Sequence, residues 1–89
     1  MSYRVEIAHE AEKVLDRLDR TTERRIGARL FQLSQDPFDP RLSSPLTERE
    51  GVRKSRVGDW RILFTVDRDS QVIYVATVAT RGQVYKHSR

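Results

Sequence analysis

The spacing of apolar positions changes twice along the chain, and each change marks a new kind of element. Tyr3, Val5 and Ile7 alternate with Arg4 and Glu6, which predicts a short first strand. From residue 8 to about 19 the period lengthens, and Ala11, Val14, Leu15 and Leu18 fall on one helical stripe. Ile26, Leu30 and Leu33 then repeat at i, i+4 and i+7 with Phe31 on the flank. They predict a second helix, capped by Thr21 or Thr22. Two short amphipathic helices separated by a few polar residues make an αα-hairpin.

The prolines of Asp36-Pro37-Phe38-Asp39-Pro40 end the second helix, because each pushes the residue before it out of helical backbone. The stretch up to Glu50 reads as a loop, with Leu42 and Leu46 as its anchors to the core. After Gly51 the period falls to two, and residues 52–57, 60–66 and 72–79 predict three strands. Gly58-Asp59 suits a two-residue type II′ hairpin turn, and residues 67–71 form a longer polar one. The order β-α-α-β-β-β describes an α+β fold: a short N-terminal strand, an αα-hairpin, then a three-stranded antiparallel sheet. With 89 residues, a single domain over 1–89 is expected.

Composition narrows the chemistry. With no cysteine, disulfides and thiolate metal sites are excluded. No apolar run approaches the length of a membrane span and no signal-peptide core precedes the first strand, so a cytoplasmic protein without membrane contact is expected. His9 and His87 lack partners at metal-ligand spacing, and Asp16/Asp19 and Asp67/Asp69 read as a helix face and a turn; neither a metal nor any other cofactor is expected. The net charge of +4 is unevenly spread: residues 1–48 carry −1 and residues 49–89 carry +5. The second half is therefore the candidate surface for a polyanion.

The Gly58-Asp59 turn gives that charge a geometry. If Val57 and Trp60 flank a two-residue loop, Arg56 pairs with Arg61 and Lys54 with Leu63. Arg56 and Arg61 then stand opposite each other on one face, with Lys54 two residues back along it. Like charges in direct cross-strand opposition cost on the order of 0.2–1 kcal/mol. An anion between them removes the penalty, and a phosphodiester is the natural candidate. The last strand returns toward the start of the Trp60 strand and carries Arg81 and Tyr85 to the same hairpin end. There Tyr85 stacks on a base, shares its proton more readily among the guanidinium groups, or caps the core as an ordinary tail residue.

The block Gly51-Val52-Arg53-Lys54-Ser55-Arg56-Val57-Gly58-Asp59-Trp60-Arg61-Ile62-Leu63-Phe64 resembles the RelE/ParE toxin superfamily pattern of a basic strand, R-V-G-D-[YW]-R and an apolar strand. Val78-Ala79-Thr80-Arg81-Gly82-Gln83-Val84-Tyr85 resembles its closing motif, and the resemblance spans essentially the whole chain. It implies a RelE-like toxin of a type II toxin–antitoxin system: a metal-independent endoribonuclease that cleaves messenger RNA on the ribosome and is blocked by a RelB-like antitoxin. Carried over by position, it implies catalytic roles for Lys54, Arg56, Arg61, Arg81 and Tyr85. Arg53 and Lys86 are expected as further RNA contacts. Two positions depart from the pattern. Thr80 stands where many relatives have histidine. Arg53 and Ser55 occupy places usually filled by bulky apolar residues, which predicts a looser, more exposed start to that strand.

The chemistry such a site must perform is attack of a 2′-oxygen on the adjacent phosphorus. Arg61 and Arg81 suit stabilisation of the phosphorane charge, Lys54 is the candidate proton acceptor, and Arg56 or Tyr85 assists the leaving 5′-oxygen. Two other readings stand beside this one. ParE relatives share the fold and inhibit DNA gyrase by binding it, and a degenerate member would bind only RNA or an antitoxin.

Overall fold

Five strands, rather than three in a separate sheet, form the framework that presents the basic segment. The computed structural model describes residues 2–80. The strands are β1 (Arg4–Ile7), β2 (Ser44–Pro45), β3 (Arg53–Val57), β4 (Trp60–Asp67) and β5 (Val72–Thr80); the helices are α1 (His9–Leu15) and α2 (Arg20–Gln35). The sheet order is β1-β5-β4-β3-β2. β1 joins parallel to β5, with Val5 opposite Ile73, and the helical hairpin supplies the crossover that a parallel pair requires. The α+β class holds, but the sheet is wider by a strand at each edge.

Both helices pack on one face. Ala11 of α1 and Ile26 and Leu33 of α2 meet Val57, Ile62, Phe64, Ile73, Val75 and Val78 of the sheet in a core of buried residues. Alternation turns Arg53, Ser55 and Val57 of β3 toward the helices and Lys54 and Arg56 away from them. In β5 the alternation is interrupted. Leu63 pairs with Thr77 but Phe64 pairs with Val75, leaving Ala76 as the extra residue of a bulge. That extra residue lets Val75 and Val78 both face the core, and explains an apolar run without clean period two.

Local chemistry moves three of the expected boundaries. α1 ends at Leu15 rather than near Asp19, because the chain tightens through Arg17 N–H to the Val14 carbonyl and Leu18 N–H to the Leu15 carbonyl. Leu18 still packs on the core, so the apolar stripe outlasts the helix. α2 is capped by Asp19, not by a threonine: its carboxylate accepts from the Thr22 backbone N–H at 3.2 Å and the Thr22 hydroxyl at 2.6 Å. A carboxylate at a helix N-terminus also meets the positive end of the helix dipole. Within the supposed loop, Ser44 and Pro45 pair with Lys54 and Arg53 as β2. Proline is tolerated there because the strand lies at the sheet edge. Leu46 is buried and Leu42 packs against the core, so both anchors hold. Among the described residues no helix is long and apolar enough to cross a membrane.

The Asp19 cap sets a pH dependence. Hydrogen bonds from Thr22 hold its carboxyl below the ordinary value of 3.8. A lowered folded pKa means that its stabilisation is complete above the unfolded value and disappears as pH falls through the folded one. Asp19→Ala is expected to lower the melting temperature at pH 7, and the difference from wild type to close as melts are taken below about pH 3.8.

Candidate functional site: a cationic sheet face

The hairpin between β3 and β4 closes through Val57 and Trp60, and the register places Arg56 opposite Arg61 and Lys54 opposite Leu63. Gly58 has φ 59° while Asp59 stays at negative φ, the combination of a type II′ turn. Lys54, Arg56 and Arg61 therefore share the face away from the helices. Arg56 and Arg61 form a non-hydrogen-bonded pair, the kind in which opposed Cα atoms stand about 4.5 Å apart. Arg56 is exposed, and Lys54 and Arg61 are half-buried.

These cations have no carboxylate partner among the described residues. The ion pairs there, Arg4–Glu6 and Arg41–Asp39, lie elsewhere on the surface. Arg61 Nε is buried and makes no hydrogen bond among the described residues. A buried guanidinium nitrogen without an acceptor costs free energy, and an anionic oxygen at that position would remove the cost. One acidic group does face the cluster. Glu48 accepts a hydrogen bond from Thr47 Oγ1 at 2.5 Å, which holds its carboxyl below the usual range, and the charges of Lys54 and Arg61 lower it further. It is exposed, so its attraction to those cations is screened by water.

Arg53 is not part of this cluster. It points to the helix side, where its Nε donates to Ser43 Oγ at 3.0 Å and its guanidinium lies 5.1 Å from the Phe38 ring centre. Nor is the start of β3 loose. Ser55 is 1% exposed, and its hydroxyl donates to the Leu42 carbonyl at 2.6 Å. Hydrogen bonds replace the apolar contacts that larger residues would make there. β5 ends with Thr80 opposite Trp60, the end of the sheet nearest the cluster. Arg81, Tyr85, Lys86 and His87 lie outside the described residues. His9, the first residue of α1, is exposed on another element.

Residues 5–85 match the family of the ParE toxin of type II toxin–antitoxin systems, parDE. The chain belongs to the ParE toxin family. Within the wider RelE/ParE superfamily, its fold is similar to that in the RelBE2 toxin–antitoxin complex from Mycobacterium tuberculosis, with TM-score 0.78 and 26% identity over 91% of this chain and 100% of that one. It is likewise similar to the archaeal RelE–RelB complex from Pyrococcus horikoshii OT3, with TM-score 0.75 and 27% identity over 93% and 99% of the two chains. A free E. coli RelE mutant shares the fold at TM-score 0.81 and 18% identity, over 99% of this chain and 93% of that one. No curated protein matches the sequence. The chain is thus a type II toxin of the RelE/ParE superfamily, and RelE-like toxins of this shape occur in complexes with RelB antitoxins.

Two neighbours of the cations were not legible as such. Glu48 sits in a loop whose path no periodicity defines. Arg25 belongs to α2, yet its guanidinium lies over the hairpin turn, where a Cβ on Gly58 would approach Arg25 Nη2 to 3.2 Å. Gly58→Ala meets that crowding as well as a positive φ. It is expected to destabilise the protein by about 1–2 kcal/mol in urea unfolding.

Proposed function

We propose that this toxin is a RelE-like endoribonuclease that cuts messenger RNA in the ribosome, and that a RelB-like antitoxin covers the same basic face. The observation that carries the reading is the juxtaposition of Lys54, Arg56 and Arg61 on one sheet face without a carboxylate ion pair among the described residues. A gyrase-binding surface has no need to hold like charges in direct opposition, whereas a phosphodiester entering between them satisfies both. The similarity to RelE chains captured with their antitoxins supports the partner.

In this mechanism Lys54 takes the proton from the 2′-hydroxyl, and the 2′-oxygen attacks phosphorus. Arg61 and Arg81 bind the equatorial oxygens as negative charge builds on them. The bond from phosphorus to the 5′-oxygen breaks, and Arg56 or Tyr85 assists that oxygen as it gains a proton. The products are a 2′,3′-cyclic phosphate and a 5′-hydroxyl. Arg81 and Tyr85 enter by resemblance in sequence.

The second reading, inhibition of DNA gyrase by binding it, is favoured by the match to the ParE family model. In-vitro translation with mapping of messenger RNA 5′ ends separates the two. Ribosome-dependent cuts with 5′-hydroxyl ends are expected from wild type, slowed roughly a hundredfold to a thousandfold in Arg61→Ala and Arg81→Ala. Intact messenger RNA with folded protein contradicts the nuclease reading, and loss of gyrase supercoiling under the same conditions establishes the second.

A further inference from the structure

Strand β3 is paired on both sides only at its beginning. β2 covers Arg53 and Lys54 and then stops, since Ser44 is its first residue and stands opposite Lys54. Beyond that point β3 is an edge. The hairpin register makes the edge consequential for Arg56. A two-residue turn closes on a hydrogen-bonded pair, here Val57 with Trp60, so the next pair, Arg56 with Arg61, is non-hydrogen-bonded. Both backbone polar groups of Arg56 therefore point away from β4, toward the side β2 has left.

A helix side chain takes the place of the missing strand. Arg29 of α2 donates through Nη1 to the Arg56 carbonyl at 2.8 Å and to Ser55 Oγ at 2.8 Å, while its Nε donates to Gln32 Oε1 at 3.3 Å. Ser55 Oγ in turn donates to the Leu42 carbonyl at 2.6 Å. The last stretch of β3 is thus strapped to α2 and to the segment before β2 by side chains. Among the described residues, Arg56 without Arg29 is held across the sheet only through its chain neighbours. It also stands opposite another guanidinium that repels it. Arg29 makes no ion pair with a carboxylate among the described residues.

We infer that Arg29 is a positioning residue, fixing Arg56 opposite Arg61 by gripping the Arg56 carbonyl and the Ser55 hydroxyl with one guanidinium nitrogen. The inference rests on the nuclease reading for its catalytic consequence, while the grip itself has a readout that involves no RNA. Arg29→Met keeps the apolar stem and removes the donors. Hydrogen exchange at the Val57 and Trp60 amides is expected to speed up about tenfold in this variant, with amides of the β4–β5 ladder unchanged. The cleavage rate at saturating ribosomes is expected to fall roughly tenfold to a hundredfold, because small misplacements of a reacting group have effects of that size. The half-saturating ribosome concentration stays the same, and millimolar guanidinium restores part of the rate.

Unchanged exchange overturns the grip. Faster exchange with a wild-type cleavage rate overturns the positioning role. If wild-type protein itself leaves RNA intact, the nuclease reading falls and takes the catalytic consequence with it, while exchange still decides the grip. Should Arg29→Met lose its fold by circular dichroism, Arg29→Lys decides on the same readouts. Its shorter single ammonium is expected to leave cleavage several-fold slow, and a wild-type rate from it overturns the two-acceptor grip.

Discussion

Two guanidinium groups held opposite each other on adjacent strands, with no carboxylate partner among the described residues, are the constraint around which this domain is arranged. Cross-strand repulsion favours splaying of the hairpin, so other contacts must keep it closed. The type II′ turn at Gly58 supplies one, since its twist matches that of the strands. Val57, Ile62 and Phe64 supply another by burying the opposite side of the same ribbon against Ile26 and Leu33 of α2. A well-packed helix side thereby allows an electrostatically unfavourable outer side.

The division of labour between the faces follows from the period of two. Arg53, Lys54, Ser55 and Arg56 are four consecutive polar residues, yet their fates alternate. Lys54 and Arg56 carry charge on the outer face, while Arg53 and Ser55 enter a network with Ser43, Phe38, Arg29 and Leu42. This network satisfies polar groups that a shorter β2 leaves without strand partners. Glu48 is the counterweight on the outer side: an exposed carboxylate near Lys54 and Arg61 moderates the local potential without forming a tight ion pair.

What could be read in advance was whatever depends on local spacing. The hairpin register followed from Gly58-Asp59 alone, and the opposition of Arg56 and Arg61 followed from the register. The helical stripe through Ala11 and Leu18 and the repeat through Ile26 and Leu33 identified the core-facing sides. Features set by distant partners were not legible. β1 finds β5 across some sixty-odd residues of chain, and a two-residue strand containing Pro45 has too little pattern to announce itself. Ser55 reads as a weakness in an apolar strand, and its burial makes sense only once Arg29 and Leu42 are beside it. The cap at Asp19 was missed because the threonines that follow are also good caps. The carboxylate prevails by accepting from both the backbone and the side chain of Thr22.

The central claim is that the outer face stores repulsion, relieved by no ion pair among the described residues, for use on an anion. The most direct measurement is the unfolding free energy of Arg56→Gln against wild type across ionic strength. Removing one of the opposed charges is expected to stabilise the protein by about 0.2–1 kcal/mol at low salt. The gain should shrink toward zero as salt shortens the screening length to a few ångströms. A variant no more stable than wild type at low salt, or a difference indifferent to salt, would contradict the claim.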